Sequence, residues 1–464
     1  MASDLQNRMF AELDDKEPLE AAKQCAFDYL DKTQERRIYP SAADIEALRR
    51  LSTELPRGGV DAATIINDLH NQAARGCVNN IGGRYFGLVT GGVLPVALAA
   101  RWLADAWDQN APLFKTSPTA AIIEEICENW MRDLFGLPDG TVAGFVSGSS
   151  LAIFSGLAAA RYRIFQNQGW DVNAKGLAGA PPVRIVSGRH AHATVVKAVA
   201  LLGLGIDNVE WVDVDDQGRI MADRVPALDD KTILLLQAGN VNSGAFDDFA
   251  SLCARADDAG AWTHVDGAFG LWAAASPRLQ HLTAGMERAR SWSVDAHKTL
   301  NTPYDGGIIL CRDEEALNMA LHAAGSYLVQ SEDRDGMFYT PELSRRARAI
   351  EIWAALRYLG REGIDALVTG LHERAAQFAE ELSAEGFNVL NDIVFNQILI
   401  GYGDDGDPAA FVKHIQDGGE CWVGGATWEG RPVIRISVCS WATTPEDITR
   451  SVKAFVAARK AVAG

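Results

Sequence analysis

Between residues 144 and 311 the sequence alternates short apolar runs with helical periodicity, and no other feature constrains the fold as strongly. The clearest run, T-I-L-L-L-Q-A at 232–238, is almost continuously apolar, as a strand buried on both faces requires. Comparable runs stand at 144–147, 183–187, 261–266 and 307–311, with helical patterns over 150–163, 194–202 and 247–259. Strands alternating with helices predict an α/β architecture with a largely parallel sheet and right-handed crossovers. From about residue 337 the pattern changes. Helices over 344–361 and 365–385, strands over 387–390, 394–402 and 432–438, and a last helix over 445–461 predict a smaller α+β domain. Upstream, residues 41–55 predict a helix capped by Ser41, with Ile45, Leu48, Leu51 and Leu55 on one face. Residues 119–134 predict another, with Ile122, Ile126, Trp130 and Leu134 four apart. The glycine- and aromatic-rich stretch 82–92 predicts a loop lining a cavity. The division that results is an N-terminal helical segment over 1–95, a large domain over 96–336 and a C-terminal small domain over 337–464.

A chain of 464 residues exceeds one ordinary core, which agrees with that division. Its 43 Lys and Arg against 61 Asp and Glu leave a net charge of −18, which argues against nucleic acid as a partner. Seven cysteines lie scattered without zinc or C-x-x-C spacing, so reduced thiols and a cytoplasmic location are expected. The first twenty residues are acidic and polar, unlike a secretion signal, and the apolar stretch 93–100 ends at Arg101, too short to span a membrane.

Ligands of parallel α/β sheets bind at the carboxyl ends of the strands, and four apolar runs end in polar residues. Val146-Ser147-Gly148-Ser149-Ser150 opens a helix, where small residues and backbone N–H groups can receive an anion, although such serines commonly serve as helix caps. His190-Ala191-His192 follows the second strand. His264-Val265-Asp266 places an acid at a strand end. Ser293-Val294-Asp295-Ala296-His297-Lys298 places a lysine beside a histidine after an apolar segment, where a solvated lysine is the ordinary alternative. Together these supply an anion cradle, an acid, a flat imidazole and an amine nucleophile. Pyridoxal 5′-phosphate (PLP) needs that set: a lysine for its aldehyde, an acid for its ring nitrogen and donors for its phosphate.

The same segments resemble the group II PLP-dependent amino-acid decarboxylases, which act on aromatic amino acids, histidine, glutamate or 2,4-diaminobutyrate. The resemblance spans about residues 75–455. It rests on H-V-D-G-A-F-G at 264–270, D-A-H-K-T-L-N-T-P-Y-D-G-G at 295–307, A-H-A-T-V-V-K-A at 191–198, S-Y-L at 326–328, S-R-R-A-R at 344–348 and V-I-R-I-S-V at 433–438. It implies PLP-dependent transferase fold type I and a homodimer with shared active sites. It also implies roles: Lys298 holds the cofactor, Asp266 pairs with the pyridinium and His192 stacks on the ring. Gly148, Ser149 and Ser150 hold the phosphate, with Asp295 and His297 nearby. Tyr327, on a mobile loop reaching the partner's site, protonates Cα; Arg435 binds a substrate carboxylate; Thr90 lines the substrate pocket. The chain departs from the family where G-S-S-L-A-I replaces G-G-[ST]-x-A-N, where Gly239-Asn240-Val241 replaces G-T-T, and where Thr299 replaces tryptophan. The expected reaction is decarboxylation of an L-amino acid to an amine and CO₂. The rivals are oxidative aldehyde formation, desulfurase-like elimination, which requires a catalytic cysteine, and a pseudoenzyme that binds PLP without turnover.

Overall fold

The computed structural model describes residues 3–51, 54–55, 57–322, 332–401 and 408–463. Seven strands form the central sheet: β1 (Val142–Val146), β2 (Arg184–Gly188), β3 (Val209–Val212), β4 (Thr232–Gln237), β5 (Trp262–Asp266), β6 (Ser291–Asp295) and β7 (Gly307–Cys311). Their order is β1-β7-β6-β5-β4-β2-β3. The pairs β6–β5, β5–β4, β4–β2 and β2–β3 are parallel, and β7 alone runs against its neighbours. Every residue of β1, β4, β5, β6 and β7 is buried, which explains their continuous apolar runs. The sequence pattern missed β3 because it is an edge strand whose two middle residues, Glu210 and Trp211, face solvent.

The helix Ser149–Asn167 starts three residues after β1 and packs along the sheet with twelve buried residues. Two helices were expected over 344–385, and the structure has two within Ala349–Ala384, parted at Gly360, which takes φ 57°, ψ −175°. Its first half packs into the large core through Ile352, Ala355 and Leu356. Its second half packs into the small core through Ala375, Phe378 and Leu382.

The small domain carries β8 (Asn388–Val389), β9 (Gln397–Gly401), β10 (Gly424–Trp428) and β11 (Arg431–Ser437), in the antiparallel order β10-β11-β9-β8. Strand β10 (G-G-A-T-W) lacks an apolar run, so only its partner was legible. The β10–β11 hairpin turns through Glu429 and Gly430, both at positive φ, the geometry of a two-residue hairpin loop.

Residues 84–86 lie against this small domain: Phe86 N donates to Trp422 O at 2.9 Å and Ser437 N donates to Phe86 O at 2.9 Å. The Phe86 ring is buried edge-on against Phe378, 5.0 Å between centroids, and Phe378 in turn meets Phe455. Phe378→Ala should therefore cost about 3–5 kcal/mol of stability and loosen the 84–92 segment. Denaturant unfolding checks the first effect, and amide exchange at residues 84–92 checks the second.

Candidate active site

The strands β1, β2, β5 and β6 run in one direction, so their carboxyl ends open on a single edge of the sheet. Asp266 closes β5 and is buried. One of its oxygens accepts the Ala268 N–H at 3.2 Å and the Ser293 hydroxyl at 3.3 Å, Ser293 being its register partner on β6. Burial raises the Asp266 pKa above the carboxylate norm, against the opposing pull of His192 and Lys298.

His192 caps the helix Ala193–Leu201, its Nδ1 accepting from Thr194 N at 3.2 Å and lying 2.7 Å from Thr194 Oγ1. That acceptor role assigns the proton of the neutral ring to Nε2. Burial lowers its pKa, with the carboxylate of Asp266 opposing and the cations Lys298 and Arg435 assisting.

Lys298 lies in the turn after β6, with its Nζ 2.9 Å from Asp295 Oδ2. Burial alone would lower its pKa, but the attraction of the Asp295 carboxylate, with Asp266 adding, holds it above the usual value. Asp295 is fully buried and would be raised by that burial; Lys298 and His297 outweigh the effect and hold it low. The helix Ser149–Asn167 begins at Gly148 without a side-chain cap of its own, and Asp295 Oδ1 fills that place by accepting Ser149 N–H at 2.6 Å. Ser149 is buried and Ser150 exposed on the first turn. His297 accepts the Gly306 N–H on Nδ1 at 3.1 Å and stacks on Tyr304 with 4.3 Å between ring centroids. A Cβ on Gly148 would stand 3.3 Å from His297 Cε1, so this glycine keeps the helix mouth and the imidazole close together.

The loop over 85–92 completes the wall. A Cβ on Gly91 would fall 2.1 Å from Lys298 O, which requires glycine there. Thr90 is buried beside Tyr304, whose pKa burial pushes up to about 12, with Thr90 opposing. Arg435 on β11 donates to Val241 O at 3.3 Å, and among the described residues no carboxylate pairs with it. Burial lowers its pKa, with Tyr85 opposing. The structure therefore brings together Gly148, Ser149, Ser150, His192, Asp266, Asp295, His297, Lys298, Thr90 and Arg435. Tyr327 lies outside the described residues.

Three findings were not legible beforehand. Asn240, one of the three residues (with Val241 and Asn242) in the segment that replaces the family G-T-T, is spent on its own loop: Oδ1 accepts from Asn242 N and Ser243 N at 2.9 and 3.2 Å, and Nδ2 donates to His190 O. Cys439 is buried near Lys298, and burial pushes its thiol up to about 12 against the opposing pull of Lys298. Asn301, at φ 58°, is fully buried. Its Oδ1 accepts from Gly92 N at 2.7 Å and Trp441 N at 2.9 Å. Its Nδ2 donates to the carbonyls of Lys298, Thr299 and Cys439 at 3.2, 2.8 and 3.0 Å. The only signal for it was its place three residues after the lysine in H-K-T-L-N.

The profile of the pyridoxal-dependent decarboxylase conserved domain matches residues 46–399. The chain belongs to the pyridoxal-dependent decarboxylase family. It is 25% identical over 354 residues to an acidic amino acid decarboxylase of Mus musculus, covering 73% of this chain and 62% of that protein. It is 27% identical over 341 residues to an aromatic-L-amino-acid decarboxylase of Bacillus atrophaeus, covering 69% of this chain and 68% of that one. The chain thus spans less than two thirds of the mouse relative's length. Among solved structures it superposes on mouse CSAD with a TM-score of 0.87, at 20% identity over 96% of this chain and 98% of that one. It superposes equally, at 0.87, on Oryza sativa TDC with PLP and tryptamine, at 19% identity over 97% and 98% of the two chains. These likenesses establish PLP fold type I.

The residues present fit the family's cofactor. A buried acid with no ion-pair partner among the described residues, an imidazole anchored by Thr194, a buried lysine and a helix start at Gly148, capped at Ser149 N–H by Asp295, fit what PLP requires. Asn301→Ala would strip the side-chain partner from two N–H groups and from the carbonyls of Thr299 and Cys439, while Lys298 O keeps the backbone N–H of residue 301. It should lower stability by about 3 kcal/mol and weaken retention of PLP, both read by thermal melts with and without added cofactor.

Proposed function

We propose that this chain is a PLP-dependent carboxy-lyase that converts an L-amino acid to an amine and CO₂. The carrying observation is the convergence of Lys298, Asp266 and His192 on one sheet edge, in a chain of this family. When bound, PLP supplies an electron sink for the bond broken at Cα. Lys298 would hold the cofactor through its amine. Asp266 would keep the ring nitrogen protonated through a charge-assisted contact in a water-poor site. His192, its orientation fixed by Thr194, would stack on the ring. Gly148, Ser149 and Ser150 receive the phosphate at the helix start, with His297 beside them. Arg435, a half-buried cation without a carboxylate, orients a substrate carboxylate, and Thr90 with Tyr304 shapes the pocket wall. Tyr327 delivers the proton to Cα.

A homodimer with shared sites is part of this reading, and the surface supports it. The helix Asp4–Asp15 buries none of its residues, while Leu5, Met9, Phe10 and Leu13 stand 56–63% exposed on it. An isolated helix of that length is marginal in water, so a second copy is the natural cover. On the helix Pro95–Trp107, Trp102, Leu103 and Trp107 are also exposed. A cytoplasmic location accords with seven free cysteines. Among the described residues no helix is long and apolar enough to cross a membrane.

An amino-acid panel assayed for CO₂, with amines identified by mass spectrometry, tests the reaction. At least one L-amino acid should yield a stoichiometric amine, and borohydride should fix the cofactor to Lys298. Label on another lysine, or no CO₂ from any substrate, defeats the assignment.

Tyr327→Phe should keep cofactor binding but lower amine output by roughly 10²–10⁴-fold, the loss expected when a general acid is removed. Mixed dimers of Lys298→Ala and Tyr327→Phe chains, each inactive alone, should regain decarboxylation if the tyrosine acts across the interface. Verified mixed dimers without activity would mean that each site is built from one chain.

A further inference from the structure

We propose that Asp295 is a positioning residue for Lys298, holding it as an ammonium ion until the cofactor's aldehyde arrives, and that it does not serve the phosphate. This rests on the PLP reading above. Oδ1 of Asp295 takes Ser149 N–H at 2.6 Å, and Oδ2 pairs with Lys298 Nζ at 2.9 Å through charge alone, without a hydrogen bond of its own. The carboxylate is 1% exposed. A second anion placed against it would pay repulsion in a poorly solvated site, so a phosphate takes the rest of the helix mouth instead: Ser150, the Ser149 hydroxyl and the His297 side.

The groups around the amine leave Asp295 as its controlling partner. Asp266 attracts the ammonium from farther away, and burial makes that carboxyl the more easily protonated of the two. His192 and His297 both have pKa values lowered by burial, so both stay neutral near pH 7. The thiol of Cys439 and the phenol of Tyr304, each pushed up to about 12, carry no charge there. Arg435 is a fixed cation near His192. Only Asp295 is both charged and within 3 Å of Nζ.

The consequence concerns loading. An ammonium ion cannot attack an aldehyde; it must first give up a proton, and the neutral amine then forms the new C–N bond as one water leaves. Below the lysine pKa the neutral fraction grows tenfold per pH unit, so raising that pKa slows covalent attachment and moves its rise to higher pH. Asp295→Asn keeps an oxygen for Ser149 N–H and removes only the charge. Burial then dominates, and the lysine pKa falls.

The test uses full-length protein freed of cofactor, following the first-order covalent step at saturating PLP from pH 6 to 10 by absorbance, with borohydride trapping and peptide mapping. In the wild type the rate should still climb above pH 8. Asp295→Asn should react at least about tenfold faster at pH 7, its profile shifted down by about one unit or more. Pyridoxal, which lacks the phosphate, should show the same shift. An unchanged profile, with or without a lower melting temperature, reduces Asp295 to a helix cap and overturns the proposal. A shift seen only with PLP overturns it too, because the effect then belongs to the phosphate. Should the variant fail to fold, a wild-type profile already flat below pH 8 has the same consequence. If the wild type forms no adduct at Lys298, the PLP reading and this proposal fall together; an adduct with an unchanged profile removes only the proposal.

Discussion

The amide of Asn301 is the point on which the site depends. It binds five backbone groups, drawn from the 85–92 loop, from its own turn after Lys298 and from the 439–441 segment that follows β11. These segments belong to different layers of the molecule, and no other buried side chain described above joins all three. The β-sheet fixes where Asp266 and Asp295 end; it does not fix where the pocket wall stands relative to them. Backbone bonds tie residues 84–86 to the small domain, and the side chain of Asn301 adds the link to the turn after Lys298, its donors and acceptors all satisfied in the interior, where an unmade hydrogen bond is costly. The left-handed backbone of Asn301 (φ 58°), which asparagine tolerates better than most residues, turns the chain so that the amide points back at Lys298 O.

The legible part of this structure was the part governed by burial on both faces. Runs such as T-I-L-L-L-Q had to be central strands, and polar residues at their carboxyl ends had to face a common edge. That logic assembled Gly148, His192, Asp266, Asp295, His297 and Lys298 before any coordinates, and the motif resemblance added Thr90 and Arg435. Elements whose identity depends on a partner were not legible. Strand β3 has a solvent face, β10 has almost no side chains to pack, and the helix Pro408–Gly418 belongs to a small domain whose elements follow no simple alternation. The apolar face shared by Ile45, Leu48, Leu51 and Leu55 illustrates the same limit: the helix ends at Leu48, a short turn follows, and Leu55 is almost fully exposed. Periodicity shows that a face wants cover and says nothing of what covers it.

Hydrogen-bond allegiance is a further layer that residue type conceals. Asn240 and Asn301 are the same amide in two polar loops. One closes a turn on itself and reaches His190 O; the other holds the pocket together. Likewise Asp266 and Asp295 both end buried strands. Asp266 meets one backbone N–H and one hydroxyl, which leaves its charge available to a ring nitrogen. Asp295 is committed at both oxygens, to a helix start and to an ammonium ion. Two aspartates in equivalent topological places therefore have opposite pKa displacements, one raised by burial and the other lowered by its cation.

That contrast bears on how the site tolerates a cofactor carrying a phosphate. Counted at neutral pH, the fixed charges of the protein side are two carboxylates, Asp266 and Asp295, against two cations, Lys298 and Arg435, with both histidines held neutral by burial. The buried site is close to balanced before anything binds. A phosphate adds about two negative charges at the helix Ser149–Asn167, whose N-terminus offers only about half a positive charge. A protonated ring nitrogen paired with Asp266, as proposed, would add one positive charge, and the remaining deficit would have to be met locally. On the same reading His297, which stands beside Gly148 with Tyr304 stacked on its face, would be the group to meet it, because an anion there would oppose the burial that lowers its pKa.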